Sequence, residues 1–141
     1  MTPLIRRRVA VAVAALLVSA GCGKVADPDP LIGTFLASTL TVTPAGQSVV
    51  DVLAQGGTLG VNVANNFVTA GTLILPASVT GGPVFTANMT GTAVRTGATV
   101  RFTQSADTFV RNLTFTLVEN RLEAVSQVVA GTTYSVVLTR Q

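Results

Sequence analysis

From Leu31 to the last residue, apolar and polar side chains alternate with a period of two. Successive side chains of a β-strand point to opposite faces, so this pattern is typical of strands with one buried face and one face in water. A clear example is the run of Tyr134, Val136 and Leu138, which alternate with Ser135, Val137 and Thr139. No long segment carries an apolar stripe at the 3.6-residue spacing of a helix. The alternation therefore predicts an all-β domain.

Glycine and asparagine separate the alternating runs at short intervals, as at Asn65-Asn66, Thr96-Gly97 and Ala130-Gly131. Both residue types tolerate the positive φ that tight hairpin turns require. We predict strands near 33–43, 49–54, 58–64, 67–75, 84–94, 98–104, 109–118, 121–129 and 132–140. Eight or nine strands with such short connections leave no room for crossover helices, which excludes a parallel α/β sheet. We expect an antiparallel up-and-down meander that closes into a small β-barrel, because closure removes exposed edges. A two-sheet β-sandwich is the alternative.

The N-terminal residues 1–21 have the three parts of an export signal. Arg6, Arg7 and Arg8 form a basic start, residues 9–18 are apolar, and Ser19-Ala20-Gly21 supplies the small residues of a cleavage site. The apolar run is about half the ~20 residues that a spanning helix needs. We therefore predict a cleaved signal peptide and not a transmembrane anchor.

Val18-Ser19-Ala20-Gly21-Cys22 resembles the lipobox of bacterial lipoproteins, and Cys22 is the single cysteine of the chain. The resemblance implies that Cys22 is acylated and becomes the first mature residue, so that the membrane holds the chain through its lipid. The alternative is an ordinary secretory signal with a cysteine nearby by chance. Gly23 follows the cysteine, which in the lipoprotein family implies the outer membrane if the cell has two. Residues 22–30, with Asp27-Pro28-Asp29-Pro30, then form a stiff tether to a single domain over 31–141.

Removal of the signal peptide also removes the excess positive charge. The chain has nine lysines and arginines against six aspartates and glutamates. Three of the arginines belong to the signal, so the mature chain has a formal charge of zero. Because nucleic-acid binding needs a basic surface that neutralises phosphates, we exclude that class of function.

Gly33-Thr34-Phe35 at the start of the first strand, together with Arg140 in the last, resembles the paired motifs of lipocalins. In that family an aromatic residue follows the glycine at the same spacing, and a late arginine stacks on it. The resemblance covers roughly residues 31–141. It implies a short lipocalin-like barrel, in which Gly33, Phe35 and Arg140 are structural residues, and it makes a bound ligand an expectation.

The composition argues against catalysis. The chain has no histidine, so neither a Ser-His-Asp triad nor the usual zinc sites can be assembled. Asp107, Glu119 and Glu123 are the nearest approach to a carboxylate pair, but they lie in predicted loops and turns, where solvated charges are usual. We expect no enzymatic activity, no cofactor and no bound metal.

A ligand site is the remaining possibility, and we place it on Arg111, Phe115, Met89 and Tyr134. In a regular strand Arg111 would share the apolar face with Phe115. Since an unpaired buried charge is strongly unfavourable, Arg111 either lies at the barrel mouth and pairs with Asp107 or anchors the acidic head of an amphiphile. Small residues near Met89 leave room for a cavity, although they also suit a narrow, filled barrel.

Two functions follow from these patterns, and protein partners stay unknown in both. The first is a non-enzymatic envelope lipoprotein that binds a small hydrophobic or amphiphilic ligand in its barrel. The second is a structural or interaction domain of the cell envelope with a solid core and no ligand. The filling of the barrel interior distinguishes them.

Overall fold

The computed structural model describes residues 27–141, and the predicted signal peptide, Cys22 and the first part of the predicted tether lie outside these residues. Ten strands dominate: β1 (Gly33–Thr43), β2 (Val50–Asp51), β3 (Thr58–Ala64), β4 (Phe67–Leu75), β5 (Phe85–Asn88), β6 (Gly91–Thr96), β7 (Thr99–Gln104), β8 (Phe115–Val118), β9 (Arg121–Val129) and β10 (Thr132–Arg140). One helical turn, α1 (Ala77–Thr80), precedes β5, and a 3₁₀ turn (Phe109–Asn112) precedes β8. No helix in this part of the chain is long and apolar enough to cross a membrane.

Eight strands form a closed antiparallel barrel. The hydrogen-bonded order is β10-β9-β8-β7-β6-β4-β3-β1, and β1 pairs with β10 to close the sheet. The short strands β2 and β5 are additions that pair with β1 and β4. The predicted up-and-down barrel is therefore confirmed, and the sandwich alternative is wrong because the sheet has no break into two layers.

The two ends of the barrel differ. At the tether end, where β1 begins and β10 ends, the chain enters through Leu31, whose side chain is buried. The carboxylate of Asp29 accepts a hydrogen bond from the Leu31 backbone N–H (2.9 Å) and pairs with Arg95 (2.8 Å). These contacts fix the entering segment across the tether end.

The 3₁₀ turn closes the opposite, mouth end, where β1 ends and β10 begins. Val110 and Leu113 are completely buried and lie three residues apart. Since a 3₁₀ helix has three residues per turn, this spacing directs both side chains into the barrel. The turn therefore acts as a plug.

Side chains occupy the interior between these two closures. All eight barrel strands contribute to one cluster of buried apolar residues, and Phe35, Met89, Phe102 and Phe115 are at most 1% exposed. The rings of Phe102 and Phe115 meet edge to face, with centroids 5.2 Å apart. This geometry is that of a solid core.

Three predicted strands differ from the structure. The predicted strand over 84–94 is interrupted between β5 and β6, although the Met89 N–H still donates to the Gly71 carbonyl. The predicted strand over 109–118 is wrong in its first half, because burying Val110 and Leu113 requires the 3₁₀ turn. The predicted strand over 49–54 keeps only β2, since the chain turns after Asp51, whose carboxylate accepts the Ala54 N–H.

Candidate functional site

A cleft opens at the mouth end, between β5 and the segment before the 3₁₀ turn. β5 pairs with β4 alone among the described strands, and β7 ends at Gln104, so the wall has a gap here. The gap forms the mouth cleft, with a volume of about 470 Å³. This volume is within the usual range for small-molecule sites. Its lining consists of Leu75, Thr80, Gly82, Pro83, Val84, Phe85, Asp107, Thr108, Phe109 and Tyr134.

Two aromatic rings stack against each other in the wall of the mouth cleft. Phe109 and Tyr134 stack with centroids 4.3 Å apart and planes within 9°. Tyr134 lies near the start of β10, opposite Val42, and the 3₁₀ turn brings Phe109 onto it. Phe85 lies on the other side of the cleft and is 40% exposed. The cleft thus presents aromatic surface to an incoming apolar group.

Two buried polar side chains lie in the chain segment that forms this end of the barrel. Gln104, at the end of β7, is 4% exposed, and Thr108, in the cleft wall, is 5% exposed. Neither the Gln104 amide nor the Thr108 hydroxyl has a hydrogen-bond partner among the described residues. Buried polar groups without partners are rare and costly, and they are often associated with function.

Arg111 lies on the 3₁₀ turn at the mouth end and not on a strand. Its guanidinium pairs with the Asp107 carboxylate at 2.7 Å, and its side chain is 39% exposed. The barrel therefore does not bury this charge, and the assumed strand parity does not apply to it. Through Asp107, Arg111 is connected to one wall of the mouth cleft.

The other predicted ligand residues lie at different depths. Tyr134 lines the mouth cleft, whereas Met89 and Phe115 are completely buried in the core. Of the four, the structure brings Tyr134 and, through its ion pair, Arg111 to the mouth end.

Gly33, Phe35 and Arg140 lie together at the tether end. Phe35 pairs with Arg140 across β1 and β10, and its side chain is fully buried. A Cβ atom on Gly33 would lie 2.8 Å from Arg140 Nε, and Gly33 has a φ of +144°. The arginine side chain thus lies directly over the glycine. This juxtaposition explains why a residue without a side chain occupies position 33.

Two further grooves lie on the outer wall. One, of about 470 Å³, runs over β1, β3 and β4, where Leu36 lies against Gly60. The other, the basic groove, has about 300 Å³ and is lined by Arg101 and Arg111 with three threonines between them: Thr96, Thr99 and Thr103. No group of carboxylate, histidine or cysteine side chains in the described region could hold a metal ion.

Comparisons with known proteins provide no relative. No protein-family model matches the chain, and neither the curated proteins nor the solved structures contain a match. The site must therefore be judged from its geometry.

Sequence patterns did not indicate three residues of this end: Phe85, Gln104 and Thr108. A signal existed for Gln104, because it continues the inward parity of Val100 and Phe102 and so places an amide in the core. Thr108 and Phe85 gave no such signal, since their roles depend on how the 3₁₀ turn and β5 diverge.

Proposed function

We propose that this chain is a bacterial envelope lipoprotein, anchored through acylated Cys22, that binds a small amphiphilic molecule at the mouth of its barrel. The observation that carries the proposal is the mouth cleft, an aromatic recess of about 470 Å³. We place the ligand there and not inside the barrel, because core side chains occupy the interior. The domain acts as a tethered binding module without catalysis or a cofactor.

The chemistry of the cleft indicates the kind of ligand. Phe85, Phe109 and Tyr134 offer apolar and ring surface to a hydrocarbon or aromatic body. Thr108 lines the cleft and offers an unused hydroxyl that would hydrogen bond to a polar head. Arg111 already pairs with Asp107, so a charged head would have to compete with that ion pair. An uncharged polar head therefore fits better than a carboxylate.

Tyr134 makes the proposal directly measurable. It is the only tyrosine, and the chain has no tryptophan, so intrinsic fluorescence reports on the cleft alone. All strands of the barrel and both closures lie within 27–141, so residues 24–141 contain the complete core and can be prepared without lipid. We would titrate this domain with 1-decanol, decanoic acid and decyltrimethylammonium, which share a tail and differ in head group.

We expect saturable changes in Tyr134 emission, with decanol binding most tightly. Phe109→Ala removes one ring of the stack and should weaken binding by about tenfold, or about 1.4 kcal/mol. Phe67→Ala is the matched control, because Phe67 is also exposed but lies at the tether end. Equal affinities in the two variants would contradict a site at the mouth.

The packed interior favours a second candidate, a structural or interaction domain of the envelope without a ligand. The buried cluster that fills the barrel is the observation behind it. If none of the three amphiphiles changes Tyr134 emission at concentrations below micelle formation, this second function replaces the first.

A further inference from the structure

The outer wall beside the tether end carries three large apolar side chains that are partly exposed. Phe67 is 56% exposed, Val94 54% and Ile32 37%. The strand register places them close together. On one side, Phe67 lies opposite Thr92, and Thr92 comes two residues before Val94 on the same strand. On the other side, Phe67 lies opposite Ala64. Ile32 precedes Gly33, which pairs with Val63 beside Ala64. We call Ile32, Phe67 and Val94 the rim patch.

A positive charge borders the rim patch. Arg101 on β7 lies opposite Val94 on β6, on the same outer face. It is exposed and makes no ion pair with any described carboxylate. Together with Arg111 and three threonines it lines the basic groove. An apolar patch beside a cationic groove is the pattern with which proteins bind to anionic lipid surfaces.

The course of the chain places this wall near the proposed anchor. Asp29 is fixed to the tether end by Arg95, and Asp29 comes seven positions after Cys22 in the sequence. At about 3.5 Å per residue, a fully extended tether spans at most about 25 Å. A lipid at Cys22 would therefore keep the tether end within about 25 Å of the bilayer surface.

We propose that the rim patch rests on the lipid surface, with Phe67 and Val94 among the acyl chains and Arg101 paired with lipid phosphate. This inference rests on the proposed anchoring at Cys22. Docking through this wall would hold the barrel in one orientation on the membrane. A protein partner or a second copy on the rim patch is the competing outcome.

The chain offers clean reporters for this contact. It has no tryptophan and a single cysteine, so Phe67→Trp gives one reporter and Cys22 one attachment point. Residues 22–141 would be coupled through Cys22 to maleimide-lipid in vesicles of phosphatidylcholine with and without phosphatidylglycerol. Chemical coupling does not depend on acylation in the cell, so this test stands apart from the test of the lipoprotein assignment. Val128→Trp is the matched control, because Val128 is an exposed valine near the mouth end.

We expect the Phe67→Trp reporter to shift to the blue and to be quenched by brominated lipid, whereas Val128→Trp stays unchanged. In the untethered domain carrying the Phe67→Trp reporter, Arg101→Gln should lower partitioning onto phosphatidylglycerol vesicles about fivefold and leave partitioning onto phosphatidylcholine unchanged. Equal quenching of both reporters, or of neither, would overturn the proposal. A blue shift that grows with protein density without bromine quenching would also overturn it, and would indicate contact between copies.

Discussion

Replacing Gln104 with methionine should make the domain more stable, which is an unusual expectation for a core substitution. Both polar atoms of the Gln104 amide are buried and have no partner among the described residues. A buried polar group left unsatisfied costs about 1–3 kcal/mol. Methionine has a similar shape and no polar group, and it adapts to irregular surroundings. We therefore expect Gln104→Met to raise the free energy of unfolding by about 1–2 kcal/mol.

Gln127 provides the matched control within the same chain. Its side-chain oxygen accepts the Thr114 N–H at 2.9 Å, and its amide nitrogen donates to the Thr114 carbonyl. The identical substitution, Gln127→Met, removes two hydrogen bonds and should lower the free energy of unfolding by about 1–2 kcal/mol. The two variants thus carry the same chemical change with opposite expected signs.

The assay is urea unfolding of residues 24–141, followed by far-UV circular dichroism. Gln104→Met should move the midpoint to higher urea without changing the slope, and raise Tm by about 4–8 °C. A loss of stability comparable to that of Gln127→Met would refute the reasoning, since it would show that Gln104 is hydrogen bonded in the folded protein.

Three further predictions concern the barrel, its plug and its anchor. Gly91→Ala should lower the free energy of unfolding in urea by about 3 kcal/mol or more, because the added Cβ would lie 2.0 Å from the Thr103 carbonyl oxygen. Gly82 lies in open space, so Gly82→Ala should change the free energy of unfolding by less than about 0.5 kcal/mol. Similar losses in the two variants would contradict the close approach of the strands at Gly91. Leu113→Ala should lower the free energy of unfolding by about 2–5 kcal/mol, because it truncates a fully buried side chain of the plug. Leu36 is exposed, and a loss no larger than that of Leu36→Ala would contradict the role of the 3₁₀ turn as a plug. Cys22→Ser in the full chain should abolish incorporation of radiolabelled palmitate and release the protein from the membrane fraction, whereas labelling that persists would disprove the lipoprotein assignment.

Strand positions were predictable where turn residues mark both ends of an alternating run. The predicted bounds of β1, β3, β4, β9 and β10 coincide with those observed. In these strands the buried apolar side chains alternate only over short stretches, because bulges shift the register within β1, β4 and β9. Glycine or asparagine with positive φ ends several of the strands, as at Asn65, Asn66 and Gly131. Local rules suffice there, because packing and turn chemistry indicate the same structure.

The mouth end was not predictable in the same way. Phe109, Leu113 and Phe115 alternate as in a strand, yet Val110 is also buried and the chain winds into a 3₁₀ turn. Both conformations satisfy the local pattern, and the choice depends on the open end of the barrel that the turn has to close. The same long-range requirement places Arg111 on the 3₁₀ turn at the mouth end, where it pairs with Asp107. The candidate site lies where local and long-range requirements differ.

The central claim is that the filled barrel holds a small amphiphile at its mouth, and native mass spectrometry of residues 24–141 produced in bacteria tests it most directly. We predict that the wild-type domain and Phe67→Ala carry a stoichiometric adduct that solvent extraction releases, and that Phe109→Ala loses it. A clean apo mass for the wild type, with no uptake of decanol, or an adduct that Phe109→Ala retains in full, would contradict the account.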